Sequence, residues 1–407
     1  WFKKLSENSW IRAAHIHSGQ TNERVAESGG IAYGEFQKDY SDEDIAATAL
    51  SLGHQLTRGL RLEEGLSYVF RDYLYQTARD IRINGGQYQV ETLQPWTQLS
   101  WSSTSGQTTL AGGLHGLWWL QNQVRVEPRL SAVQRIDKQQ TVSGSWGMHS
   151  QTPTWWQFDF ENENNKLIRS KHTALRYAWR SANDTWRLSI EVFDQQISDA
   201  AAMQYSGGMV SSLNESEAPF PYYFNPKTSS EGRNNGAEFS AERHFNTGWF
   251  LLANVTFFHA ETRVEGGDWL RARWDLGHIL HLSGGKEWRR TAGDNRFKTF
   301  GCSGRISWSG GLRALPIDLA ASQAAGATVY DASQGFSEQQ PDFFRLDGRV
   351  YWRTSVGDRR NSTFAMDFQN MTLQENVAYR YYDAWTGQVE TKLQLSLVPN
   401  LSWRLEF

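Results

Sequence analysis

Apolar and polar residues alternate with period two along most of this chain. At its end Leu393, Leu395, Leu397, Pro399, Leu401, Trp403, Leu405 and Phe407 occupy every second position. Gln394, Ser396, Val398, Asn400, Ser402, Arg404 and Glu406 stand between them. Successive strand side chains point to opposite faces, so this is the pattern of a strand with one apolar and one polar face. It recurs: Leu175, Tyr177 and Trp179 alternate with Arg176, Ala178 and Arg180, and Trp186, Leu188, Ile190 and Val192 with Arg187, Ser189 and Glu191. Ala237, Phe239 and Ala241 oppose Glu238, Ser240 and Glu242. Leu346, Val350 and Trp352 oppose Arg345, Asp347, Arg349 and Arg353, and Phe364, Met366 and Phe368 oppose Asp367 and Gln369.

Extended across the chain, the pattern predicts about sixteen strands. They lie near 29–37, 46–56, 60–71, 88–102, 106–120, 124–135, 140–148, 170–180, 184–197, 233–243, 248–262, 276–290, 297–309, 341–355, 361–372 and 392–407, with 9–17 as a further candidate. The connections alternate in length. Short ones fall at 57–59, 103–105, 136–139, 181–183, 244–247, 291–296 and 356–360. Long ones fall at 72–87, 149–169, 198–232, 263–275, 310–340 and 373–391, and only 121–123 breaks the rhythm.

A β-sandwich also alternates apolar and polar positions, so length and connection pattern must decide. A tilted strand of about 10 residues crosses the hydrocarbon core of a bilayer, and many segments here run 11 to 16 residues. Outer-membrane barrels have short turns at one end and long loops at the other, whereas a sandwich has no reason to. The expected fold is therefore all-β, an antiparallel transmembrane β-barrel, with residues 1–407 as one unit integral to the outer membrane of a Gram-negative cell.

Composition supports this reading. Of 407 residues 39% are hydrophobic, 14% aromatic and 21% charged, with 19 Trp against 9 Pro. A water-filled barrel interior keeps the average polar while the outer face is apolar. A sugar-binding β protein would also be Trp-rich, but would cluster a few Trp. Here Trp101, Trp179, Trp249, Trp288, Trp308, Trp352 and Trp403 are spread over the strands, as rings at two lipid–water interfaces would be. There is no run of about 18 apolar residues, so no membrane-spanning helix is predicted. Trp1-Phe-Lys-Lys-Leu5 is followed by no apolar stretch of the kind a secretory signal needs. With 41 basic and 44 acidic residues the chain offers no net field for nucleic acid. The single Cys302 excludes an internal disulfide framework.

Several stretches resemble the barrel of TonB-dependent outer-membrane receptors. Gly232-Arg-Asn-Asn-Gly-Ala-Glu-Phe-Ser-Ala-Glu-Arg-His-Phe245, followed by Gly248-Trp-Phe-Leu-Leu-Ala-Asn-Val-Thr256, is similar to a strand pair of that family after a long loop. Phe344-Arg-Leu-Asp-Gly-Arg-Val350 and Met366-Asp-Phe-Gln-Asn-Met-Thr372 resemble late strands. Glu127-Pro-Arg129 and Gly311-Leu-Arg-Ala-Leu-Pro316 are similar as well, and the closing strand ends in an aromatic residue. The resemblance reaches from about 110 to 407 and covers the C-terminal part of the barrel.

That family has a 22-stranded barrel filled by a plug and preceded by a segment that pairs with TonB. Neither is visible in residues 1–407, so the resemblance implies TonB as a partner only if a plug lies upstream. It also implies that Trp403, Leu405 and Phe407 serve as an assembly signal, read by the barrel-assembly machinery. Outer-membrane lipid is the other expected partner.

Lumen-lining candidates follow from the polar faces: Arg176, Arg180, Arg187, Glu191, Glu238, Glu242, Arg345, Asp347, Arg349 and Asp367. Mixed charges on a wet wall pair with one another or guide solute. Trp155, Trp156 and Phe158 in one long loop and Tyr222 and Tyr223 in another are candidate ligand contacts. No catalytic residue, metal site or cofactor is assigned. His15 and His17 would share a strand face without a third ligand nearby, Gly284-Gly-Lys286 lacks the spacing of a phosphate loop, and Gly301-Cys-Ser-Gly304 has the wrong order for a nucleophile elbow. The expected function is the barrel portion of a receptor that takes up a scarce large solute: siderophore-bound iron, a vitamin, an oligosaccharide or a peptide. The alternatives are a plugless passive pore and a structural barrel partner in an outer-membrane complex.

Overall fold

The computed structural model describes residues 1–27, 36–79, 82–120, 123–153, 165–205, 207–214, 226–293, 295–357 and 360–407. Sixteen long strands follow one another as an antiparallel meander. They are β1 (Ser9–Glu27), β2 (Phe36–Thr57), β3 (Leu60–Arg79), β4 (Arg82–Ser102), β5 (Thr108–Trp119), β6 (Val124–Arg135), β7 (Gln140–Gln151) and β8 (Ile168–Arg180), then β9 (Trp186–Tyr205), β10 (Pro226–Asn246), β11 (Trp249–Val264), β12 (His278–Thr291), β13 (Arg296–Ser309), β14 (Phe343–Val356), β15 (Arg360–Gln369) and β16 (Val398–Glu406). Three short strands, Phe2–Lys4, Gly208–Ser211 and Leu270–Arg271, complete a 19-stranded sheet. The sheet is not closed: among the described residues β16 pairs only with β15, and β1 with β2 and Phe2–Lys4.

Two sequence expectations change. Residues 29–35 of the expected strand 29–37 lie outside the described residues, and 36–37 open β2 instead. The further candidate 9–17 is the start of the 19-residue β1. The expected long loop 72–87 is strand on both sides, with β3 running to Arg79 and β4 starting at Arg82. The reason is visible in the side chains. Thr21 donates to Asp42 at 2.8 Å, and Gln87 to Asp72 at 2.9 Å. These polar pairs stand on the face that is apolar further along, so the ladder continues where the alternation has ended.

Register assigns each side chain to a face, because residues directly opposite in an antiparallel pair share one. All seven tryptophans named above fall on the apolar face. Trp288, Phe300, Trp352, Phe364 and Trp403 form one cross-strand row over β12–β16. Ring centroids are 5.7 Å apart for Trp288–Phe300 and 6.1 Å for Phe300–Trp352. Trp308 stands beside Leu280 and Phe344 at the other end of the same strands. Phe300 and Trp308 are eight residues apart, about 26 Å along the strand at the usual rise, or about 20 Å of height at the tilt of a membrane barrel, most of its apolar band.

The connections after β2, β4, β6, β8, β10, β12 and β14 are short and share one end. Between β10 and β11 only Thr247 and Gly248 intervene, with φ of 52° and 80°. A two-residue hairpin of this hand needs φ above zero at both positions. Arg243 braces it, donating to the Trp249 carbonyl at 2.6 Å and the Thr247 hydroxyl at 3.3 Å.

At the opposite end the connections form a packed layer. Helix α1 (Leu319–Ala325) is capped by Asp318, whose Oδ1 accepts from the Ala321 amide at 2.9 Å, and ends at Gly326 with φ 65°. A hairpin, Val377–Asp383 with Gln388–Leu393, leans on this segment. The Tyr382 amide donates to Thr328 Oγ1 at 2.9 Å, and Gln323 Nε2 to the Gly387 carbonyl at 3.1 Å. Asp275, 1% exposed, ties the β11–β12 connection together. It takes Arg271 at 2.7 Å, Arg313 at 3.3 Å and the Ala260 amide at 2.9 Å.

Candidate functional site

The ten charged positions expected to line the interior share one face of the sheet. Arg176 stands opposite Glu191, and Glu191 opposite Glu238. Arg180 stands opposite Arg187, and Arg187 opposite Glu242. The same face continues through Thr256, Ile279 and Ser309 to Arg345, Asp347 and Arg349 on β14 and Asp367 on β15.

These residues behave in two ways. On β14 the arginines are charge-matched. Arg345 meets Asp347 at 2.9 Å, Arg349 meets Asp367 at 3.0 Å, and Arg353 meets Glu287 at 2.7 Å. Tyr351 also donates to Glu287. On β8–β10 they are only partly so. Arg176 donates to Ser189 Oγ at 3.1 Å, and Arg180 to the Lys138 carbonyl at 3.0 Å. Arg187 pairs with Asp184 in the turn at 3.2 Å, while Glu242 pairs with His244 at 3.1 Å. Glu238 accepts from Ser240 at 3.1 Å.

A further cluster on this face was not singled out as a site from the sequence. Glu127, 2% exposed, takes Arg129 at 2.7 Å and His115 Nδ1 at 2.8 Å. His149 and His172 lie beside it with ring centroids 5.1 Å apart. Glu127-Pro-Arg129 was legible as a motif; the histidines come from three other strands and carried no local signal. Toward the long-loop end the same face turns apolar, where Tyr73, Val90, Leu117 and Trp119 pack with Leu167.

The loop candidates Trp155, Trp156, Phe158, Tyr222 and Tyr223 lie outside the described residues. A different loop carries exposed aromatics. On the hairpin over 377–393, Tyr379 and Tyr381 have ring centroids 5.9 Å apart, and Trp385 at its tip is 84% exposed. Arg380 between them is held by Glu338 at 2.7 Å. Alternation had marked 373–391 only as a long connection. The run Tyr379-Arg-Tyr-Tyr382 with Trp385 was the available signal.

The other sequence candidates are placed plainly. Trp403 and Leu405 lie on the apolar face of β16, and Phe407, 92% exposed, follows it. His15 Nδ1 is 2.9 Å from Thr48 Oγ1, and His17 is 4.0 Å from Asp44. Cys302 is a free thiol within β13, opposite Val350. Among the described residues no group of three His, Cys, Asp or Glu side chains could hold a metal ion.

No family model matches the chain, and no curated protein matches it. Solved structures do. The ferric yersiniabactin uptake receptor FyuA from Yersinia pestis superposes with a TM-score of 0.70 at 14% identity, over 99% of this chain and 60% of that one. The ferric citrate transporter FecA gives 0.68 at 10% identity, over 99% and 60%. BauA, the ferric preacinetobactin receptor from Acinetobacter baumannii, gives 0.67 at 14%, over 100% and 61%. This chain thus spans about three fifths of the length of the receptors it matches. The likeness establishes the fold: the chain has the architecture of the β-barrel of TonB-dependent outer-membrane receptors.

Proposed function

We propose that the chain forms part of the wall of an outer-membrane receptor that takes up a scarce, large solute, and that the solute first meets the long-loop end. The observation that carries this reading is the asymmetry of the sheet. One face is apolar with aromatic rows near both ends of the band, the other is charged, and the packed connections all gather at one end. A transmembrane wall needs both faces, and a receptor needs the loops.

The exposed hairpin is the proposed contact surface. Tyr379, Tyr381 and Trp385 offer flat apolar faces, while Arg380, on the other side of the strand, is held by Glu338. Such groups suit a large conjugated or chelating solute. The similar structures are receptors and transporters of ferric chelates, which supports a ferric siderophore as the solute class. TonB as energy source and the barrel-assembly machinery as reader of β16 belong to the same proposal.

The test is binding of ferric yersiniabactin, ferric preacinetobactin, ferric pyoverdine and ferric citrate to the purified protein, followed by quenching of Trp fluorescence. One chelate is expected to bind, and Tyr379→Ala with Trp385→Ala to weaken it by about tenfold, the scale of an interfacial aromatic anchor. Binding of none of the four, or binding unchanged in the double variant, would overturn the assignment.

A further inference from the structure

On β14 Arg345, Arg349 and Arg353 each have a carboxylate within 3.0 Å. At the short-turn end of β6–β9 the cations of the same face gather more densely. A cleft of about 880 Å³ opens there, lined by five cations, Arg135, Lys138, Arg176, Arg180 and Arg187, against two carboxylates, Asp137 and Glu242. Register sets Arg180 directly across from Arg187. Like charges in that position are destabilising by themselves, so the arrangement asks for a counter-charge.

The nearby acids supply one only in part. Asp137 is spent within its own turn, accepting from the Gln139 and Gln140 amides at 2.7 Å each and from Gln140 Nε2 at 2.7 Å. Asp184 takes Arg187 at 3.2 Å and feels Arg180 only through space. Glu242 takes His244. Glu191 faces Arg176 in register but lies beyond ion-pair distance from it. Among the described residues, no carboxylate comes within 4.0 Å of the cationic nitrogens of Arg135, Lys138, Arg176 or Arg180.

We propose that this cleft binds a small polyanion through phosphate or carboxylate oxygens, with Arg176 and Arg180 as its principal ligands and Arg135 and Lys138 at its rim. Guanidinium forks match oxyanions with two parallel hydrogen bonds, and are less strongly hydrated than an ammonium. The bond from Arg180 Nε to the Lys138 carbonyl fixes one fork and leaves its terminal nitrogens free to donate. The volume admits a tripolyphosphate- or citrate-sized solute rather than a macromolecule. The site lies at the end of the strands remote from the loop hairpin, and it stands whether or not a ferric chelate binds there.

The experiment is calorimetric titration of tripolyphosphate, and separately of citrate, into the protein held in uncharged maltoside micelles. Saturable binding to the unmodified protein is expected, weakening by at least tenfold in R176Q/R180Q and recovering only part of that loss in R176K/R180K, which restores the charge without the fork. Arg349→Gln, on the charge-matched part of the wall, should leave it unchanged. Should R176Q/R180Q fail to fold, Lys138→Ala provides the same reading with a smaller loss. Micelles doped with phosphatidylglycerol separate two sources of the same chemistry. Displacement of tripolyphosphate by that lipid would seat a lipid phosphate in the cleft, while indifference to it assigns a soluble anion. Absence of saturable binding, or equal affinity in the unmodified protein and R176Q/R180Q, would overturn the site.

Discussion

Gly301 shows how much of this wall is decided by one missing side chain. It stands opposite Tyr351, and a Cβ placed there would lie 2.2 Å from the Tyr351 ring. The ring lies across the glycine and reaches Glu287 on the next strand, which also holds Arg353. Gly53 under Trp10 and Gly65 under Trp96 repeat the device. Gly301→Val should therefore cost about 1–3 kcal/mol by overpacking, and Tyr351→Ala in the same chain should recover part of the loss. Urea unfolding in lipid vesicles measures both; equal stability of Gly301→Val and the unmodified protein would refute the packing. The charges flanking this pair were legible, because Arg345, Asp347 and Arg349 alternate with apolar neighbours. The glycine–tyrosine contact was not, because its partners are 50 residues apart and meet only through register.

At the scale of elements, alternation reported the apolar band of the sheet more faithfully than strand length. β2 and β3 were expected over 46–56 and 60–71, where one face is apolar, but run over Phe36–Thr57 and Leu60–Arg79. Beyond the apolar band both faces of a ladder are wet, so backbone pairing continues with no pattern to betray it. The loop layer was equally hidden, since its contacts join segments far apart in sequence, as Thr328 with Tyr382 does. Two carboxylates in that layer give it a pH response. Glu265 accepts from the Thr228 and Ser229 hydroxyls at 3.0 Å each, and these bonds hold its carboxyl below the usual range. Asp331 is held low in the same way by the Ser333 hydroxyl, Gln334 and the Ser333 amide. A depressed folded pKa means stabilisation that is full above the ordinary carboxylate range and lost as pH falls through the folded value. Amide protection in 227–229 and 331–335, corrected for intrinsic exchange, should hold above the ordinary carboxylate range and drop only once the pH has fallen below it. Constant protection after full protonation of the carboxylates in strong acid would contradict these bonds.

For the whole molecule, the sign of each face is the claim on which membrane insertion rests, and neighbouring residues can test it. Leu175 lies on the apolar face of β8, four residues from Trp179, and is more than half exposed. Ala174, one step along, lies on the charged face opposite Phe193 and Ser145. The two sit at nearly the same depth, so propensity and distance from the turn are matched and only the medium differs. Arginine facing lipid near the middle of a barrel costs about 2–4 kcal/mol, whereas the interior of such a wall is aqueous. Leu175→Arg should lower the stability of the vesicle-inserted protein by that amount, and Ala174→Arg by under about 1 kcal/mol, with urea titration of both as the measurement. The ordering matters more than the size. In a soluble sandwich the faces would exchange roles: the Trp-bearing side would be the packed interior, and Ala174→Arg would simply add a surface charge. Both topologies penalise Leu175→Arg in water, so the comparison must be made with and without lipid. A penalty that needs the bilayer to fold the unmodified chain at all, and then falls on Leu175 alone, fits only a sheet whose apolar side is solvated by hydrocarbon.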